Sequence, residues 1–139
     1  MNSHSQLSIL LVEDDAVDVM SVKRALRELN ASHALNVAGN GEEALAFLRD
    51  ASHALPGIIL LDINMPRMNG LDFLKVLKAD DRLRRIPAIV LTTSKEEKDR
   101  LESFNLSAAG YMIKPVEYSG FVEVVRTIQR YWILSEMPP

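Results

Sequence analysis

Not one of the 139 residues is a cysteine, so the chain can build neither a disulfide framework nor a thiolate metal site. Long hydrophobic runs are missing as well. None approaches the length of a membrane span, and the polar opening MNSHSQ does not read as a signal peptide. Basic clusters are scarce: the nearest is Arg82, Arg84 and Arg85, best read as a solvated loop or helix end. With a net charge of -3, the chain lacks the grouped Lys and Arg that neutralising phosphates requires, which argues against a nucleic-acid partner. His4, His33 and His53 show no metal-ligand spacing, and no EF-hand loop is present. There is no internal repeat, low-complexity segment or linker. These exclusions leave a cytoplasmic protein with no membrane partner as the expectation.

What is present is ordinary globular composition, 47% hydrophobic and 25% charged, in a length that suits one domain. Short β-type runs at 7–12, 34–38, 58–61, 88–91 and 110–113 alternate with helical patterns at 16–29, 42–50, 70–79, 95–106 and 118–132. The first, third and fourth runs are continuously apolar rather than alternating. Such strands are buried on both faces, hence parallel, with helices on either side. Strict alternation of the two element types then predicts an α/β fold with a doubly wound five-stranded parallel sheet. Residues 1–6 are expected to be disordered, the domain to fill 7–132, and 133–139 to form a C-terminal tail.

Open sheets of this kind bind ligands beyond the carboxyl ends of their strands. Glu13, Asp14 and Asp15 follow the first run, Asp62 and Asn64 the third, Thr92, Thr93 and Ser94 the fourth, and Lys114 and Pro115 the fifth. Four strand ends therefore deliver acids, hydroxyls and an ammonium to one edge. Several carboxylates in one crevice repel each other unless a cation sits among them. With oxygen donors only, and few from the protein, Mg2+ retaining several waters fits better than a full Ca2+ cage. Mg2+ beside a carboxylate, a hydroxyl and a Lys suits phosphoryl transfer, with the carboxylate as nucleophile. Asp15 reads as a helix cap, and Asp18 as a solvated first-turn acid.

The strings LLVEDD, LLDINMPRMNG, VLTTS and GYMIKP, in this order and at these strand ends, resemble the receiver domain of bacterial two-component response regulators over roughly residues 7–132. The resemblance implies a flavodoxin-like strand order 2-1-3-4-5. It makes Asp62 the phosphoacceptor, taking a phosphoryl group from a sensor histidine kinase or a histidine phosphotransfer protein. Asp14 directly and Glu13, through water or directly, would hold Mg2+ with Asp62 and the backbone carbonyl of Asn64. Thr92 would hydrogen-bond the phosphoryl group, and Lys114 would pair with it. Tyr111 matches the aromatic that swings inward as Thr92 moves, and the position of Ser94 tunes phosphate lifetime. The Lys114–Pro115 bond is usually cis in the family. The protein would be a phosphoacceptor signalling protein and not an enzyme, with at most slow self-dephosphorylation.

Two other functions compete with this one. A haloacid-dehalogenase-like phosphatase needs a second Asp two residues after the nucleophile, where Asn64 stands. A pseudo-receiver that only binds is opposed by the intact Asp62, Thr92 and Lys114. Because the chain stops soon after its last helix, output is expected through protein contact. Phe121, Val124, Val125, Ile128 and Trp132 form a core-facing stripe on that helix, whereas Val122, Tyr131, Ile133 and Leu134 lie off it. That second apolar strip predicts a homodimer through the C-terminal helix and tail. LLVEDD, GNGEEALAFLR and VLTTS also resemble the single-domain receivers paired with bacterial phytochromes, which implies such a kinase as partner.

Overall fold

Every residue of Ile9–Val12, Ile58–Leu61 and Ala88–Thr92 is buried, as a run without a polar face must be. The computed structural model describes residues 8–30 and 35–134. In it these segments are strands β1, β3 and β4, flanked by β2 (Leu35–Ala38) and β5 (Gly110–Ile113). All pair in parallel, in the order β2-β1-β3-β4-β5. Helices α1 (Ala16–Glu28), α2 (Gly41–Arg49), α3 (Gly70–Ala79), α4 (Glu97–Asn105) and α5 (Tyr118–Leu134) make the connections. This is the expected doubly wound, flavodoxin-like arrangement.

Successive side chains on a strand point to opposite faces, so each central strand feeds two cores. Leu10, Val12, Ile59, Leu61 and Val90 meet α2 and α3, chiefly through Leu48, Phe73, Leu74 and Leu77. Ile9, Leu11, Ile58, Leu60 and Leu91 meet α1 and α5 through Val22, Leu26, Phe121, Val125 and Ile128. Each fully buried Leu or Ile contributes about 1.5–3 kcal/mol, so two such layers hold the strand ends in fixed register. Helix α4 is the exception. Its one buried residue is Ser103, and Leu101 and Phe104 face outward.

The helix starts use the caps that the sequence offers. Asp15 accepts the N–H groups of Val17 and Asp18, Asn40 accepts that of Glu43, and Asn69 that of Asp72. Asp15 is thus a cap, as expected. Thr92 belongs to β4 because it pairs with Ile113 and its carbonyl accepts the Lys114 N–H at 2.8 Å.

The C-terminal helix differs from expectation in two respects. It continues through Leu134, past the expected boundary at residue 132. Val122, expected on the free strip, is half-buried and packs with Val124 and Trp132 against the α1/α5 core. The helix turns Val122 partly toward the sheet because its core-facing stripe is wide. Tyr131 and Ile133 are exposed. The side chain of Leu134, the tail from 135 onward and the 1–6 segment lie outside the described residues. No helix among the described residues is long and apolar enough to cross a membrane.

Candidate functional site

Parallel register sets the strand ends side by side. Val12 is partner to Leu61, so the residues that follow, Glu13 and Asp62, emerge as neighbours. The Asp62 N–H is held by the Val12 carbonyl at 3.0 Å, and the Glu13 N–H by that of Ala38 at 2.9 Å. On the other flank Thr92 pairs with Ile113, which brings Lys114 out next in line. The sheet therefore gathers Glu13, Asp62, Thr92 and Lys114 at one edge, as the sequence predicted.

Lys114 is the hub of this edge. Its Nζ lies 2.7 Å from Glu13 Oε1, 2.7 Å from Asp18 Oδ2 and 3.2 Å from Asp62 Oδ2, with a side chain only 7% exposed. Burial alone would pull this ammonium below the usual lysine range. Hydrogen bonds to Asp18 and Glu13, with the charges of Asp62 and Glu13, outweigh burial and hold it well above that range. Asp18 is a correction to the sequence reading. Rather than a solvated first-turn acid, it is largely buried against Lys114. Position alone hid this, because a first-turn acid favours the helix dipole whether or not it has another partner. The expected cis bond is also absent. No cis peptide occurs among the described residues, and Lys114–Pro115 keeps the trans form that X–Pro bonds ordinarily prefer by ~0.5–1 kcal/mol.

Carboxylate oxygens of Glu13, Asp14 and Asp62 lie within 4.8 Å of one another, with Asp14 exposed and the other two buried. Burial pushes the Glu13 carboxyl up to about 7, partly offset by Lys114 and reinforced by the Asp62 charge. The three carboxylates share the single Lys114 ammonium, which leaves this edge with an excess of acidic groups. Its all-oxygen donor set, open on the Asp14 side, fits a hard divalent cation. Asp62 uses its second oxygen, Oδ1, to face the Asn64 N–H at 3.4 Å. Asn64 itself is exposed at the mouth of the site.

Beyond Thr92 the chain forms a network that exceeds a simple turn. Thr92 is fully buried, and its Oγ1 accepts the Ser94 N–H at 3.2 Å. Ser94 Oγ donates to Asp99 Oδ2 at 2.6 Å, and the Ser94 carbonyl accepts the Tyr111 hydroxyl at 3.0 Å. Burial raises the Tyr111 phenol above its ordinary range. Thr92, Ser94, the first turn of α4 and Tyr111 are thus one hydrogen-bonded unit. The sequence marked Ser94 and Tyr111 but gave no sign of Asp99, which is one acid among several in a charged helix. Met65 is buried and Met68 packs over Gly41, so both are loop packing, as expected. His53 stacks on Phe47 rather than joining the site.

The comparisons with known proteins agree with this geometry. Residues 9–126 match the response regulator receiver domain family. Response regulator Rcp1 of Synechocystis is 34% identical over 129 residues, covering 90% of this chain and 88% of Rcp1. Its Mn2+-bound crystal structure superposes with a TM-score of 0.85 at 33% identity, covering 94% of this chain and 98% of that one. The phosphorylated cyanobacterial phytochrome response regulator RcpA gives a TM-score of 0.90 at 33% identity, covering 97% and 100%. The bacteriophytochrome response regulator RtBRR gives 0.74 at 37% identity, covering 96% and 86%. With its strand order, its acid-lined edge and the family match across most of its length, the chain belongs to the response regulator receiver domains, homologous to the phospho-accepting regulators of two-component systems.

Proposed function

We propose that Asp62 is the phosphoacceptor of this chain. The observation that carries the proposal is a buried carboxylate at the end of the central strand, with one oxygen on the Lys114 ammonium and the other facing the Asn64 N–H. In the reaction an Asp62 oxygen forms a bond to phosphorus as the P–N bond to a donor histidine breaks. The electron pair of that bond goes to the imidazole nitrogen of the donor. Lys114 offsets charge on the transferred oxygens, and the Thr92 hydroxyl donates to one of them. Glu13, Asp14, Asp62 and the backbone carbonyl of Asn64 would hold Mg2+, which when bound screens the negative charge of the phosphoryl group. A Mn2+-bound relative supports a divalent ion at this edge, and a phosphorylated relative supports the chemistry.

The donor is a sensor histidine kinase or a histidine phosphotransfer protein. The resemblance to Rcp1, RcpA and RtBRR favours a bacterial phytochrome as that kinase, in a cytoplasmic relay. Output follows from Thr92 moving toward the phosphoryl group. Its bond from the Ser94 N–H then breaks, and the hold of Ser94 on Tyr111 and Asp99 changes with it. Asn64 stands where a hydrolase would need an acid/base, so self-dephosphorylation is slow. Tyr131 and Ile133 supply the exposed part of a homodimer contact on α5. Acetyl phosphate with Mg2+ tests the acceptor directly. Intact mass should show one added phosphoryl group on the wild type and none on Asp62→Asn, and equal labelling of both would overturn the proposal.

A further inference from the structure

The ammonium of Lys114 has three N–H bonds, and three carboxylates stand within reach of them. Two of these, Glu13 and Asp62, belong to the acidic cluster that surrounds the acceptor. The third, Asp18, does not. It comes from a different element, the first turn of α1, and lies as close to Nζ as Glu13 does, at 2.7 Å. Its own place is fixed from two directions. Asp15 Oδ1 accepts its N–H at 3.1 Å, and α1 is pinned to the sheet by Val22, Ala25 and Leu26.

A lysine ammonium sits on a flexible four-carbon stem, so its position is set by its partners and not by its backbone. If those partners were only the acids of the acceptor cluster, every change of charge there would redirect the ammonium. Asp18 supplies a hold that does not change when the cluster does. We propose that Asp18 is a positioning residue for phosphoryl transfer, keeping the Lys114 ammonium at Asp62 before and during the reaction. This inference rests on the reading of Asp62 as the acceptor.

With acetyl phosphate as donor, an Asp62 oxygen bonds to phosphorus and the phosphorus–oxygen bond to the acetyl group breaks. Acetate leaves with that electron pair, and no proton need move. Negative charge on the transferring oxygens must be met by an ammonium already in place. Asp18→Asn keeps the shape and an acceptor oxygen but removes the charge that holds Lys114.

The test compares initial phosphorylation rates by acetyl phosphate and Mg2+, read by intact mass, in the wild type, Asp18→Asn, Asp18→Glu, Lys114→Gln and the Asp18→Asn/Lys114→Gln double variant. Asp18→Asn should be slower by roughly ten- to a hundredfold, the range a misplaced reacting group produces. Asp18→Glu should recover most of that loss, and Asp18→Asn should add no further loss once Lys114 is gone. In metal-free protein the Lys114 ammonium should give a slowly exchanging 15N–1H signal that Asp18→Asn abolishes. Asp18→Ser, with the same expectations, replaces the Asn variant should that one fail to fold. A wild-type or faster rate in Asp18→Asn, an unchanged ammonium signal, or an equal loss in the Lys114→Gln background overturns this inference alone. Labelling that survives Asp62→Asn overturns the acceptor reading and this inference with it.

Discussion

Gly70 lies so close to Asp62 that a Cβ added to it would stand 2.2 Å from the Asp62 carbonyl oxygen and 2.8 Å from Ile63 Cα. The Gly70 N–H is meanwhile bonded to the Ile63 carbonyl at 2.9 Å. The first residue of α3 is thus pressed against the backbone of the proposed nucleophile. Because the obstacle is backbone, no side-chain rotation can relieve it.

Gly70→Ala should therefore cost about 1–3 kcal/mol of stability, the usual range for overpacking. It should also slow acetyl phosphate labelling, since Asp62 must shift to make room. Chemical denaturation and intact-mass kinetics check both. A variant as stable and as fast as the wild type would show that the contact positions nothing.

Glu13 gives a pH signature. Its carboxyl is raised from 4.5 to about 7 in the folded protein, so the folded state binds this proton more tightly than the unfolded chain. The stability it contributes is fully present below about pH 4.5 and is lost as pH rises to about 7. Metal-free protein should therefore lose on the order of 2 kcal/mol from this group over that window, and Glu13→Gln should flatten the loss. Lys114, raised as well, follows the same sign at higher pH: its contribution persists through neutral pH and goes only above its ordinary range. Thermal melts in chelator from pH 5 to 8 decide the matter.

Asp14→Ala should abolish Mg2+ binding and leave the fold intact. Asp14 is the exposed member of the cluster, so its loss opens no core cavity and relieves repulsion. Calorimetric titration measures the first effect and circular dichroism the second. Undiminished Mg2+ affinity would remove Asp14 from the donor set.

The proposed homodimer is best probed without shortening α5, because the Trp132 ring lies against Gly57, where an added Cβ would come within 2.5 Å of it. Truncation there would damage the core as well as any interface. Tyr131→Glu and Ile133→Glu alter exposed positions instead. Together they should weaken dimerisation at least about tenfold, or ~1.4 kcal/mol, by sedimentation equilibrium. A monomeric wild type at tens of micromolar, or a dimer indifferent to both changes, would dismiss this interface.

Most of the architecture was legible because β1 and β3 are apolar at every position and β4 is apolar up to its last residue, Thr92, and only a doubly covered parallel sheet can bury such runs. The site followed from topology, since parallel strands put their carboxyl ends on one edge. What escaped the sequence depends on side-chain paths between distant elements. Nothing in the spacing of Asp18 and Lys114 says that a lysine after β5 reaches the first turn of α1. Asp99 escaped in the same way, because its bond to Ser94 depends on how the loop before α4 folds back. Val122 was misplaced because a helical stripe drawn from one period is narrower than the face a helix buries.

Phosphotransfer to Asp62 is tested by locating the phosphoryl group residue by residue. Protein treated with acetyl phosphate and Mg2+ is reduced with borohydride, which converts an acyl phosphate to the alcohol, and is then digested with trypsin. The peptide spanning residues 50–67 contains two carboxylates, Asp50 and Asp62, which fragment masses distinguish. Reduction is expected at Asp62 alone. Reduction at Asp14, Asp50 or any other acid, with Asp62 untouched, would contradict it.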